Sequence, residues 1–176
     1  MLPMSKYLKF LKKNQYYILL FIILFSFLFL FKNLLLIIGF IIIGAISVSH
    51  IRFTQGYFGF ELCTLFTVLG AMKFGALAGV IIGISSITLG LFLGGYIKHS
   101  IIVNIFGFAL IGFIASFIPI TNLFYAGILL ALLYDILAVP SFHFLGAPKI
   151  VIISYFLSHM ITTFFIFSWA ANILVL

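Results

Sequence analysis

The chain has 176 residues, of which 66% are hydrophobic and 6% charged, and its formal net charge is +7. Soluble domains carry roughly 25% charged residues, so this composition excludes a soluble globular domain and predicts an integral membrane protein. Four of the basic residues precede the first apolar run: Lys6, Lys9, Lys12 and Lys13. We interpret the basic excess as a topology signal and as contact with anionic membrane lipid, not as a nucleic-acid surface.

Apolar runs follow one another along the chain, at 16–31, 34–48, 57–72, 75–97, 101–118, 123–139 and 150–171. Each predicts an α-helix, because a backbone in lipid must satisfy its own hydrogen bonds. The first two runs are short and form either two thin spans or one long helix, which leaves six or seven spans open. We predict a basic N-terminus with an extra apolar helix over 1–33, then an all-α, six-helix membrane core over 34–176.

Three connections, at 49–56, 95–100 and 140–149, are longer than those at 73–74 and 119–122. Successive connections lie on opposite sides of a membrane, so the three longer ones share one face. Polar side chains concentrate there, and the same face carries many aromatic residues. The candidate substrate-binding residues are Arg52, Glu61, Tyr96, His99, Asp135 and His143. With seven spans and the N-terminus inside, this face is also inside, as the positive-inside rule prefers.

Glu61 and Asp135 are the two acids of the chain. A carboxylate within a membrane is costly and is a functional candidate by default, although a structural ion pair with Arg52 or Lys98 is the alternative. Arg52 is permanently charged and suits an anionic ligand, or equally topology and lipid contact. The sequence leaves both interpretations open for each residue.

Small residues recur on one face of the helix predicted over 75–97. The face contains Gly75, Gly79, Gly83, Ser86, Gly90 and Gly94. They fall within about 100° of arc at 100° per residue. Small residues let helix backbones approach closely in lipid, so this stripe predicts tight packing between helices or docking of a partner.

The sequence predicts no catalytic residues, no bound metal and no cofactor. The histidines at 50, 99 and 143 lack the spacing of a metal site. The glycines of 75–95 lack the Lys-Ser/Thr ending of a phosphate-binding loop, and Gly83-Ile84-Ser85-Ser86-Ile87 lacks the second glycine of a nucleophile elbow. We therefore do not expect an enzyme.

Three stretches together resemble a known family: "FELCTLFTVLGAMKFGALAGVIIGISSITLGLFLGG", "NIFGFALIGFIAS" and "LLYDILAVPSFHFLGAPK". Followed by a closing helix with His159, they resemble the substrate-binding S components of energy-coupling factor (ECF) transporters over roughly residues 34–171. The resemblance implies a six-span protein of the cell membrane whose longer loops face outside and close over a vitamin-like molecule.

The same resemblance implies partners: a transmembrane coupling protein and ATPase subunits. In the family, small residues of the first core helix dock on the coupling protein, and the nearest match here is Ala45-x-x-x-Ser49. Two alternatives stay open. The pattern is also similar to the rod-shape membrane protein MreD, which would make the chain a scaffold of the cell-shape machinery, and the two acids would suit a small-ion or proton pathway.

Overall fold

The computed structural model describes residues 14, 16–17, 19–21, 23, 26, 31–96 and 99–174. Most of the predicted segment 1–33, and Lys98, lie outside the described residues. The stretches 31–96 and 99–174 contain α-helices and no strand, which confirms the all-α prediction. The helices are α1 (Lys32–Val48), α2 (Ile51–Thr54), α3 (Cys63–Phe74), α4 (Ala76–Leu93), α5 (Ile101–Ala115), α6 (Leu123–Phe144) and α7 (Lys149–Leu174).

Four stretches of the described chain are long and apolar enough to cross a membrane: Lys32–Thr54, Ala76–Leu93, Ile120–Phe144 and Lys149–Leu174. At 1.5 Å per residue, the 18 residues of α4 extend about 27 Å, close to the thickness of a bilayer's hydrocarbon core. Large apolar side chains such as Phe106, Phe165 and Trp169 are exposed on the outer helix faces. The fold is therefore a bundle of apolar helices, and it indicates a membrane protein.

The chain divides into two compact units, residues 1–36 and 37–176. The predicted division after residue 33 stays a prediction.

Helix α3 lies at the centre of the second unit although it has only 12 residues. Eight of them are buried, and α3 contacts α4, α5, α6 and α7. The sequence predicted that this helix would start at residue 57, and that start is wrong. Residues 57–61 are not helical, because the main-chain N–H of Gly59 donates to the Ser158 hydroxyl of α7 at 2.8 Å instead of to its own chain.

The small-residue stripe of α4 faces neighbouring helices. A Cβ at Gly79 would lie 3.0 Å from the Gly112 carbonyl oxygen of α5, and a Cβ at Gly83 would lie 3.0 Å from the Thr67 side chain of α3. Ser86 is fully buried. The end of the stripe meets α1 and the turn after it, since Cβ atoms at Gly90 and Gly94 would approach the carbonyl oxygens of Ala45 and Ser49 at 2.8 and 3.3 Å.

This packing buries Ala45 of α1 and places Ser49, in the turn after α1, beside Gly94. Ala45 is 2% exposed, and the Ser49 hydroxyl donates to the Ile46 carbonyl oxygen at 2.7 Å. Gly75 differs from the rest of the stripe: no atom lies within 4 Å of where its Cβ would be, and its φ is +91°. It forms the turn that joins α3 to α4 at a positive φ, a conformation in which glycine has no steric penalty.

Helix α6 continues beyond the end predicted at residue 139. Pro140 lies inside the helix, which extends to Phe144. Proline removes a single N–H donor from the helical ladder, and here the Ser141 hydroxyl donates to the Leu137 carbonyl oxygen at 2.7 Å in the same turn. The additional turn brings Phe142 over the loop face, where the candidate site lies.

Candidate functional site

A cavity of about 710 Å³ opens at one end of the bundle. Its walls come from the end of α1, the segment 55–61, the end of α4, the start of α5 and the facing ends of α6 and α7. The three longer connections predicted to share a face all contribute residues: Gln55 and Gly56, His99 and Ser100, and Gly146 and Ala147. The volume lies within the range of about 300–1,000 Å³ that small-molecule sites occupy.

The segment 55–61 forms one wall because it is fixed to two helices. Gly56 turns the chain with a φ of +87°. The Leu62 N–H then donates to the Ser47 hydroxyl of α1 at 2.9 Å. Gly59 lies directly on α7, where a Cβ would come within 2.6 Å of the His159 Cβ and 2.8 Å of the Tyr155 carbonyl oxygen. This close approach requires glycine. It places Glu61, two residues further on, beside His159.

Three titratable side chains meet at the inner wall of the cavity: Glu61, His159 and Asp135. The Nδ1 atom of His159 lies 2.9 Å from both carboxylate oxygens of Asp135. Its Nε2 atom lies 3.4 Å from Oε1 of Glu61, which also accepts a hydrogen bond of 2.6 Å from the Thr64 hydroxyl. His159 and Asp135 are 0% exposed and Glu61 is 6% exposed. One imidazole therefore connects the two acids of the chain, and only Glu61 reaches the cavity.

Aromatic rings hold this imidazole in place. The Tyr155 ring stacks on it with centroids 5.5 Å apart, and the Tyr134 ring meets it edge-on at 6.0 Å. The Tyr134 hydroxyl donates to Oδ1 of Asn104 at 2.7 Å across α5 and α6. Tyr134, Tyr155 and Asn104 all line the cavity, so the wall beside Glu61 combines aromatic faces with a few fixed polar groups.

The structure brings together only part of the predicted set of substrate-binding residues. Glu61, Tyr96 and His99 line the cavity, whereas Arg52, Asp135 and His143 do not. Asp135 lies behind the wall, bonded to His159. Arg52 and His143 are exposed, because α2 and the last turn of α6 direct these positions outward. An ion pair between an acid and Arg52 was one alternative from the sequence. Neither acid forms that pair; each contacts His159 instead.

Some site residues were missed by the sequence interpretation. Asn104 and Tyr155 lie in apolar helices, whose hydropathy pattern does not mark them as site residues. A lone asparagine inside an apolar helix is nevertheless an informative signal. His159 of α7 contacts α6 through Asp135. The link from His159 to Glu61 depends on residues 98 positions apart in sequence, so no local pattern could indicate it.

Within the described ranges, no group of three or more His, Cys, Asp or Glu side chains is arranged to hold a metal ion. The two histidines of the cavity wall, His50 and His99, belong to no such group. Both ring nitrogens of His50 contact main-chain carbonyl oxygens, those of Ser47 at 2.7 Å and Phe58 at 3.1 Å. The arrangement suits recognition of a small molecule by one carboxylate and several rings.

Comparison of the chain with protein-family models, with curated proteins and with solved structures found no match.

Proposed function

We propose that this protein is a membrane-embedded binding subunit for a small molecule, acting as the substrate-binding component of an ECF-type uptake transporter in the cell membrane. The observation that supports this most is the cavity of about 710 Å³ at one end of the bundle. It lies below the same three connections that the family resemblance assigns to substrate enclosure. Its wall is mostly apolar and aromatic with a small number of polar groups, as is typical of a ligand site.

Close packing of the helices around the cavity supports the wall of the proposed binding site. Small residues of α4 hold α1, α3 and α5 close together, so the wall is built on tightly packed helices. The sequence contains no nucleotide-binding loop, and energy for transport would come from separate coupling and ATPase subunits. Movement of the bound molecule across the membrane is then a property of that assembly.

A thermal-shift screen of the detergent-purified full chain against a metabolite library tests binding. We expect at least one water-soluble small molecule to raise the melting temperature in a saturable manner, because a ligand that binds only the folded state stabilises it. Cys63 is the single cysteine and is fully buried, so a thiol-reactive fluorophore reports unfolding directly.

Two substitutions on α7 locate the binding. Val151 lines the cavity, whereas Ile153, two residues further on, is exposed on the outer face. Val151→Trp places a ring in the cavity and should abolish the ligand-induced shift. Ile153→Trp should leave the shift unchanged, since tryptophan is readily accommodated at a lipid-facing position. The proposal fails if no compound stabilises the wild-type chain, or if Val151→Trp responds like the wild type.

A further inference from the structure

The charge of the cavity wall indicates what class of molecule it holds. Among the described lining residues there is no lysine or arginine, and Glu61 is the one acid. Among these described lining residues, Glu61 therefore has no lysine or arginine to pair with. We infer that the ligand is an organic cation, an amine or ammonium compound with an apolar or aromatic body; this inference rests on the proposed binding function.

The hydrogen-bonded cluster behind Glu61 does not neutralise it. Asp135 accepts from Nδ1 of His159. With both carboxyls ionised, the cluster of Asp135, His159 and Glu61 has two negative charges and at most one positive charge, on His159, so it stays net negative. A buried net charge is costly unless it is paired. A ligand cation beside Glu61 supplies the missing charge.

One oxygen of Glu61 is positioned for that contact. Thr64 and His159 both contact Oε1, so within the described part of the chain Oε2 is the oxygen left for a ligand. Glu61 lines the cavity at 6% exposure. A carboxylate in such a poorly hydrated position interacts with a cation much more strongly than one in bulk water does.

The rest of the wall suits an organic cation better than a metal ion. The nearby faces are aromatic: Tyr155 and Tyr134 beside the cluster, and Phe58 and Phe60 on the segment 55–61. The rings of Phe58 and Phe60 are nearly parallel, with centroids 6.5 Å apart. Aromatic faces attract ammonium groups, whereas a metal ion needs several oxygen, nitrogen or sulfur ligands, and no such group is present among the described residues.

Three probes with the same indole body test the charge preference: tryptamine, a cation; tryptophol, neutral; and indole-3-acetate, an anion. We expect tryptamine to raise the melting temperature of the purified full chain and to bind about ten-fold or more tightly than tryptophol, as for a close buried charge pair. Indole-3-acetate should not bind. Glu61→Gln keeps an acceptor for Thr64 but removes the charge, and should reduce the affinity for tryptamine to that for tryptophol.

A second pair of variants keeps the test decisive if Glu61→Gln does not fold. Tyr155→Phe retains the aromatic face and should preserve the preference for tryptamine; Tyr155→Leu removes the face and should weaken tryptamine binding more than tryptophol binding. Equal affinity for tryptamine and tryptophol, a preference for indole-3-acetate, or no response to tryptamine overturns the inference. If the metabolite screen still yields a neutral or anionic ligand, the binding function stands and only the charge assignment fails.

Discussion

Replacing His159 with leucine tests whether the buried cluster holds the bundle together. The substitution removes the Nδ1 donor that lies 2.9 Å from both oxygens of Asp135 and the Nε2 contact with Glu61. Asp135 is 0% exposed and would keep no partner among the described side chains. Removal of one member of a buried ionic pair typically costs about 3–5 kcal/mol, because the remaining charge is uncompensated.

That cost predicts a large shift in melting temperature. For chains of 150–250 residues, 1 kcal/mol corresponds to roughly 2–4 °C, so His159→Leu should lower the melting temperature by roughly 6–20 °C. The thiol-reactive assay on Cys63 measures this shift in detergent. His143→Leu is the matched control, since His143 is exposed at the end of α6 and an exposed substitution usually changes stability by less than about 0.5 kcal/mol.

The double variant His159→Leu with Asp135→Asn separates lost charge pairing from lost packing. Asparagine removes the uncompensated charge at Asp135, so the double variant should melt at a higher temperature than His159→Leu alone. Coupled neighbours deviate from additivity by about 0.5–3 kcal/mol. A His159→Leu chain that melts within about 2 °C of the wild type, or strictly additive effects of the two substitutions, would refute the assignment of a coupled pair.

Two further predictions concern packing and sidedness. Gly112→Ala should lower the melting temperature, because its Cβ would lie 2.8 Å from the main-chain carbon of Gly79 and overpacking costs about 1–3 kcal/mol. Gly39→Ala is the control and should leave the melting temperature unchanged, because a Cβ there meets no neighbouring atom within 4 Å. Equal shifts for the two variants would argue against the backbone contact between Gly112 and Gly79. Uptake requires the cavity to face outside, so Arg52→Cys should react with a membrane-impermeant maleimide in intact cells. The parent chain, whose single Cys63 is buried, is the control and should stay unlabelled. Labelling of Arg52→Cys only after lysis contradicts uptake.

Much of the fold follows from local pattern. Apolar runs of sufficient length must become helices in lipid, and the turn at Gly75 is marked by a residue that tolerates a positive φ. The error at the start of α3 has a physical cause. Residues 57–62 have the pattern of an apolar helix, but hydrogen bonds to Ser158 and Ser47 keep residues 57–61 out of the helix.

The candidate site, like the fold, depends partly on local sequence pattern and partly on contacts between residues distant in sequence. Alternation of the connections across the membrane was sufficient to group the loops that border the cavity, and it indicated Glu61, Tyr96 and His99. It could not distinguish them from Arg52 and His143, because the direction of a side chain depends on how each helix rotates against its neighbours.

The sequence by itself determined that the chain is apolar and helical, that small residues share one face of α4, and that only two acids are present. Those properties depend on composition and on spacing along one helix. The tertiary structure alone decided that both acids meet the same imidazole, that Asp135 is enclosed, and that Glu61 remains at the cavity wall. Such an arrangement depends on α6, α7 and the segment 55–61 packing together, and burial and hydrogen bonding between distant residues exist only once the chain has folded.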